Sequence, residues 1–395
     1  MYQQFNDISV RTFINEHLYS DVRTLALKKS PFPDISMREL LFQIEGKRKA
    51  KEKIPSFFQM DDVIYPPSVS MEQCSSEQTA LYKAALCVGN QLIDLTGGFG
   101  VDTWIFSKKF DKVIYCEKNE ELAHIARHNF SVLCAQNIDI QQGNGLDFLK
   151  HQKQTFDWIY IDPSRRDQHN QKKHSFSDCT PDVVENLDNL FQYAERIMLK
   201  SSPMLDIEKA ISELKQVEAI HIVAVKNEVR EVLYLLKKAC QTPITITAVN
   251  ICSDKTQSFS CSKEELQDTK VTFSMPLTFL YEPNAAVMKS GAFNLISARF
   301  NVFKLHKNSH LYTSEHPIPD FPGRIFKIKE VMAYKPVQNL SQANISVRNF
   351  PDTPDGVRKK LKLRDGGDVF LFCTTLVNEK PMMICCENSD LTKLK

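Results

Sequence analysis

Long apolar runs are missing from this chain of 395 residues: none approaches 18 uninterrupted apolar positions. The first residues, MYQQFNDISVRTFINEH, also lack the basic segment and apolar core of an export signal. Neither a membrane protein nor an exported one is expected, and a cytoplasmic one is. The eleven cysteines include no CxxC pair, so neither a zinc site nor a disulfide framework is predicted, and the thiols read as small buried hydrophobes. An excess of one charge is missing too, because 50 Lys and Arg face 48 Asp and Glu, and the net charge of +2 names no partner. Repeats and low-complexity segments are absent. What is present, 42% hydrophobic and 25% charged residues, suits a packed globular chain, and at about 150 residues per domain its length predicts two or three domains.

Residues 1–72 read as a helical region. Ser36, three residues before Glu39, predicts a capping box, and Pro55 predicts that helix's end. Between them Lys47 to Lys53 form a basic run, read as a solvated helix face in preference to a nucleic-acid contact. From residue 73 to 253 strand-length apolar runs alternate with helical patterns, the signature of an α/β parallel sheet. The runs QLIDL, KVIYCE, IDIQQ, WIYID, RIMLK, AIHIVAV and ITITAVNI give seven strands. Helices are predicted at Val101–Lys109, Glu120–Leu133, Pro181–Ala194, Asp206–Leu214 and Val229–Ala239. Past the polar stretch SDKTQSFSCSKEELQDTK no further βαβ alternation is expected, only short strands and turns. The prolines of HPIPDFPGR divide this remainder into a small piece, about 270–318, and an α+β piece, about 321–392.

The strand QLIDL runs through TGGFGVD into a helix, the arrangement in which a nucleotide-like ligand approaches the backbone. Gly98 and Gly100 remove Cβ atoms that would stand in its way. Asp94 at the strand's end can accept a hydrogen bond from an ammonium group and would repel a pyrophosphate. Thr103 stands where a dinucleotide fingerprint requires a third glycine, which counts against a nicotinamide oxidoreductase. Glu117 ends the next strand, about 20 residues on, where a carboxylate can take both ribose hydroxyls. S-adenosylmethionine (SAM) offers that combination of ammonium and ribose, so Asp94, Thr96, Gly98, Gly100 and Glu117 are the candidate cofactor-binding residues. After the third strand, Asn144 or Asp147 in GNGLDF can face the adenine, and the offset favours Asn144.

The fourth strand ends in DPSRRD, at the sheet edge where ligands bind in open α/β folds. Asp162 and Pro163 occupy the place of the Asp/Asn-Pro-Pro-aromatic motif of amino-group methyltransferases. There a carboxylate and a backbone carbonyl orient an amine toward the methyl donor, and positioning can supply roughly 7 to 11 kcal/mol. Ser164 replaces the second proline and Arg165 the aromatic residue. An arginine can stack on a base or hold a phosphate. Asp162, Pro163, Ser164 and Arg165 are the candidate catalytic residues, His174 or Phe176 could lend an aromatic face, and Lys200, closing the fifth strand, either reaches the same edge or is a salt-bridged surface lysine. No metal is required. Between Phe321 and Arg364, ten Lys and Arg stand against Glu330, Asp352 and Asp355, an excess of seven that would suit a phosphate backbone.

Together these residues resemble a family of bacterial class I SAM-dependent methyltransferases with a ferredoxin-like insert and a C-terminal THUMP-like domain. The likeness runs through QIEGKRKAKEKIP, EQCSSEQTALYKA, DLTGGFGVD, DPSRRD, YEPNAAVMKSGAF and RKKLKLRDGGDVFLFCTTL, and DLTGGFGVD is also similar to the turn of rRNA guanine-N2 methyltransferases. The resemblance implies a Rossmann-like seven-stranded sheet, SAM as cofactor, and RNA, rRNA or tRNA, as partner, because THUMP domains deliver structured RNA to an attached enzyme. Methylation of an exocyclic amine, guanine N2 or adenine N6, is the expected reaction. A catalytically weak or inactive RNA-binding or assembly factor is the alternative, since Ser164 and Arg165 depart from the motif, and Glu282 and Asn284 are further candidates on the substrate side.

Overall fold

The computed structural model describes residues 3–165, 175–253, 255–267, 269–336 and 340–388, without the side chains of Gln3 and Arg165. The chain divides into two compact units, Met1–Glu218 with Leu233–Thr242, and Ala219–Val232 with Pro243–Lys395.

The capping box of Ser36 and Glu39 opens the helix Met37–Lys53. Its basic run is only in part the solvated face expected from sequence: Lys49 and Lys51 are exposed, and the other cations of the run turn inward. Lys47 is buried, bonded to Asn15 at 2.7 Å and paired with Asp61 at 2.5 Å. Arg48 donates to the carbonyls of Leu18 and Ser20, Lys49 pairs with Glu72, and Lys53 donates to the carbonyls of Met71 and Glu72. These cations fasten the N-terminal helices to one another, and charge counting along a sequence cannot see partners that lie up to 32 residues away.

Among the described residues, one nine-stranded sheet holds β1 (Gln91–Asp94), β2 (Lys112–Glu117), β3 (Ile138–Gln142), β4 (Phe156–Ile161), β5 (Ala194–Ser201), β6 (Val217–Val225), β7 (Glu228–Lys237), β8 (Thr245–Ile251) and β9 (Gln257–Ser262). Their order is β9-β8-β6-β7-β5-β4-β1-β2-β3. The first seven in chain order therefore lie as 3-2-1-4-5-7-6, a class I methyltransferase sheet, with β8 and β9 added beyond β6. β1 pairs in parallel with both β2 and β4, which puts the ends of three strands side by side. Side chains of β1, β2 and β4 such as Ile93, Ile114, Tyr115, Ile159 and Ile161 are wholly buried, as a sheet covered on both faces requires.

The helix expected at Val229–Ala239 is strand β7, so the seventh strand is not ITITAVNI but the run before it. Lys226 and Asn227, with φ of 51° and 64°, form the two-residue turn of a hairpin that carries β6 straight into β7. Asn250 fixes this turn by accepting from the Asn227 amide at 2.8 Å. Six successive buried positions in β7 fit a central strand, and such a run cannot be told from a buried helix by periodicity alone. The helix expected at Pro181–Ala194 is shorter, Val183–Leu190, and QSFSCS, placed in a polar linker, is the edge strand β9.

The second sheet comprises β10 (Phe279–Pro283), β11 (Phe303–Lys304), β12 (Tyr312–Ser314), β13 (Gly323–Ala333), β14 (Asn344–Arg348), β15 (Val369–Thr375) and β16 (Pro381–Asn388), in the order β11-β12-β10-β13-β16-β15-β14. It is continuous across HPIPDFPGR, because β10 pairs with β13. A βαβ unit does occur here, contrary to expectation: β14 and β15 pair in parallel with the helix Pro354–Leu361 between them. Its strand NISVR is too short and polar to register as one in the sequence. Leu280, Phe326, Phe372 and Ile384 lie in the buried core of this sheet.

Candidate functional site

The turn after β1 is held by its own polar side chains. Asp94, 1% exposed, accepts from the Thr96 amide at 2.9 Å and the Thr103 hydroxyl at 2.6 Å, tying the turn to the first residues of the helix Val101–Ser107. Burial pushes the Asp94 pKa up to about 7 against those two hydrogen bonds. Glu117 receives the Gly98 amide at 2.8 Å on one oxygen and the Asn119 amide at 2.7 Å on the other. Tyr115 donates to the Gly98 carbonyl at 2.6 Å.

Gly98 has φ of 56°, and a Cβ built there would meet no protein atom nearer than the Thr96 carbonyl at 3.8 Å. Space above the turn is therefore left open by the protein itself, a cradle of the kind a SAM-like ligand requires. Gly97 and Gly100 differ, since a Cβ would collide with the Tyr115 ring at the first and with the Phe130 ring at the second, so Gly100, against the expectation from sequence, makes room for packing and not for a ligand. Each carboxylate oxygen has two lone pairs, so Glu117 keeps acceptor capacity for ribose hydroxyls beyond its two amide bonds. Asn144 is exposed and caps the helix Gly145–Lys150 by accepting from the Leu146 amide, while Asp147 pairs with Lys150.

Asp162 follows β4 directly beside this turn: its amide donates to the Thr96 hydroxyl at 2.7 Å, so Thr96 joins the glycine turn to DPSR. The Asp162 carboxylate is ion-paired through Oδ2 with Lys200 at the end of β5. Lys200 thus reaches the sheet edge, ion-paired but buried there, and is not the surface lysine of the alternative reading. Ser164 and Arg165 form a two-residue antiparallel bridge with Cys179 and Thr180, and the Ser164 hydroxyl donates to the Thr180 carbonyl at 3.3 Å. The Arg165 side chain and His174 lie outside the described residues. Phe176 is fully buried against Tyr234, a packing role.

One part of the site went unread in the sequence. Lys83, fully buried on the helix Glu77–Leu86, pairs with Asp102 at 3.1 Å and donates to the Ser75 hydroxyl. Asp102 also accepts from Ser75 at 2.7 Å and Tyr160 at 2.8 Å. Burial would raise the Asp102 pKa, but Lys83 and Lys200 outweigh it and hold the carboxyl below its ordinary value. The available signal was Asp102 in TGGFGVD, a carboxylate in the first turn of a helix. Its partner stands in another segment.

Of the two candidates in YEPNAAVMKSG, Asn284 caps the helix Ala285–Ser290 by accepting from the Val287 amide, and Glu282 is buried in ion pairs with Arg324 and Arg348. Among the described residues no group of three or more His, Cys, Asp or Glu is placed to hold a metal, and no helix is long and apolar enough to cross a membrane.

Comparison with known proteins bears on the whole chain. Residues 279–322 match a family model for a ferredoxin-like domain, and 323–388 match one described as THUMP domain-like. A solved structure named "putative methyltransferase", from Porphyromonas gingivalis W83, is similar at 29% identity over 97% of this chain and 98% of its own, with a TM-score of 0.85. The chain joins a class I methyltransferase fold to ferredoxin-like and THUMP-like domains. An rRNA methylase from Streptococcus thermophilus is similar at 16% identity over 41% of this chain and 95% of its own, with a TM-score of 0.31. A structure named "putative methyltransferase", from Streptococcus mutans and in complex with S-adenosylhomocysteine (SAH), gives 13%, 41%, 96% and 0.30. No curated protein matches the chain.

Proposed function

We propose that the protein is a SAM-dependent methyltransferase acting on an exocyclic amine of a base in RNA, guanine N2 or adenine N6. The observation that carries the reading is Asp162: a half-exposed carboxylate at the end of β4, tied through Thr96 to a glycine turn with open space above it. Similarity along nearly the whole chain to the Porphyromonas protein supports a methyltransferase, and the THUMP-like segment supports RNA.

In this reading Gly98 admits SAM, Asp94 faces its ammonium, Glu117 takes its ribose hydroxyls, and Asn144 stands by the adenine. When bound, SAM supplies an electrophilic methyl group on a sulfonium. Lys200 holds Oδ2 of Asp162, which leaves Oδ1 to accept one N–H of the substrate amine while the Pro163 carbonyl accepts the other. With both N–H bonds so directed, the nitrogen lone pair is free to attack. The proton it releases has Oδ1 of Asp162 as its first acceptor and water as its second. Positioning alone can supply most of the acceleration, so no strong base is needed.

The test is incubation of the protein with radiolabelled SAM and total RNA from a strain lacking the gene. Wild-type protein should label an RNA fraction. Asp162→Ala should lower incorporation by about 100-fold, the usual cost of losing alignment, with SAM affinity by calorimetry almost unchanged. Absence of SAM binding would sink the enzyme reading. SAM binding with label in no RNA would instead favour a catalytically inactive RNA-binding factor.

A further inference from the structure

The second sheet carries a charged group for which the methyl-transfer reading has no use. β10 and β14 are separated in the sheet by three strands, yet Ser346 and Arg348 of β14 meet Glu282 of β10. The sheet therefore curls until its β14 edge comes within reach of β10. Glu282, with a side chain only 5% exposed, accepts from Arg324 Nε at 2.9 Å and Nη2 on one oxygen, and from Arg348 Nη2 at 2.9 Å and the Ser346 hydroxyl at 3.2 Å on the other.

The two guanidinium groups are not buried with their carboxylate. Their side chains are 50% and 41% exposed. Nη1 of Arg324 and Nε of Arg348 make no hydrogen bond to the described residues. Two cations share one anion, so an uncompensated positive charge faces outward. Its field reaches inward too: burial first, then the charges of Lys304 and Arg348, push the His310 pKa down to about 4. Lys304 is itself buried, and among the described residues its ammonium donates to the side chain of Asn294 and the carbonyl of Lys307 and pairs with no carboxylate.

Planar guanidinium groups already fixed in direction lose little freedom when a second anion arrives, and their fork suits phosphate oxygens. We propose that Arg324 and Arg348, fixed by Glu282, form a clamp for a phosphate of an RNA backbone. Its location supports that ligand, since Arg324 and Arg348 belong to the stretch with ten Lys and Arg against three acids. The clamp is sequence-neutral and holds the strand in register, as phosphate contacts do. It rests on the RNA reading above but does not depend on methyl transfer.

Fluorescence anisotropy of the full chain with a fluorescein-labelled RNA hairpin, from 50 to 200 mM salt, tests it. The triple variant Glu282→Gln, Arg324→Gln, Arg348→Gln removes the carboxylate with both partners, so no buried charge is left alone. Loss of this one phosphate contact should lower the slope of log affinity against log salt by about 0.7 to 0.9 and weaken binding about tenfold. Lys28→Gln, an exposed change of equal net charge, should do neither. A second measurement uses the unmutated protein: the hairpin should protect Arg324 and Arg348 from phenylglyoxal, read by peptide mass spectrometry. Should the triple variant fail to fold, protection alone decides. RNA binding with no protection of these two arginines overturns the clamp and leaves the RNA reading standing. No binding by wild-type protein overturns both.

Discussion

Asp162 with Lys200 and Glu282 with its two arginines are built from the same ingredients, turned in opposite directions. In the first the cation is buried, 11% exposed, and the carboxylate is the outward partner at 36%. In the second the carboxylate is buried and the guanidinium groups face out. The buried partner serves as an anchor, and the outward partner determines what can be received: a hydrogen-bond donor such as an amine at Asp162, an anion at Arg324 and Arg348. Lys83 and Asp102 make a third case, 0% and 11% exposed, in which neither partner is outward and the pair can only hold the fold.

The largest effect is expected where the pair is most enclosed. Lys83→Met leaves Asp102 buried without its cation and should cost about 3 to 5 kcal/mol of stability, as broken buried pairs do. Denaturant unfolding measures this, and Lys83→Met combined with Asp102→Leu should recover much of it. A loss below about 1 kcal/mol would mean the pair is effectively solvated, and the distinction from the two outward-facing groups would collapse.

A smaller change is expected from the anchor of the first group. Lys200→Met frees the Asp162 carboxylate to rotate and should lower methyl transfer about thirtyfold, less than loss of the carboxylate itself. Lys200→Arg should restore part of the rate, which a purely steric role for the lysine would not predict. SAM affinity should stay within about twofold for both variants, because the lysine touches the acceptor side of the edge. Equal rates for Lys200→Met and wild type would show that Asp162 needs no anchor.

How much of this was legible beforehand depended on how far apart the partners lie in sequence. The glycine turn, the strand-end acids and DPSR are local patterns, and β1 to β6 stand where apolar runs placed them. Strand β7 was misread because a leucine-rich run suits a buried helix as well as a central strand. Its true signal was two residues long, Lys226 and Asn227. Lys47, Lys83 and Glu282 were hidden differently. Each looks like an ordinary surface charge until its partner is known, and those partners lie 14, 19 and 42 or more residues away. Pairing over that distance is a property of the fold.

Asp94 offers the finest probe of the first group, because it is a buried acid with no cation of its own in the turn. With its pKa raised to about 7 by burial, the side chain is mostly protonated below that pH and mostly ionised above it. Only the ionised form can balance the ammonium of SAM. Affinity should therefore rise with pH, by about tenfold between pH 6 and 7.5, following the ionised fraction of a group with that pKa. Calorimetry at a series of pH values checks this, with Asp94→Asn as the control that should bind more weakly at pH 7.5 and show little slope. The sign is the useful part: a carboxylate kept ionised by a neighbouring cation would give a flat profile over this range. A flat wild-type profile would therefore place Asp94 with the anchors, holding the turn through Thr96 and Thr103, and leave the ammonium to another acceptor.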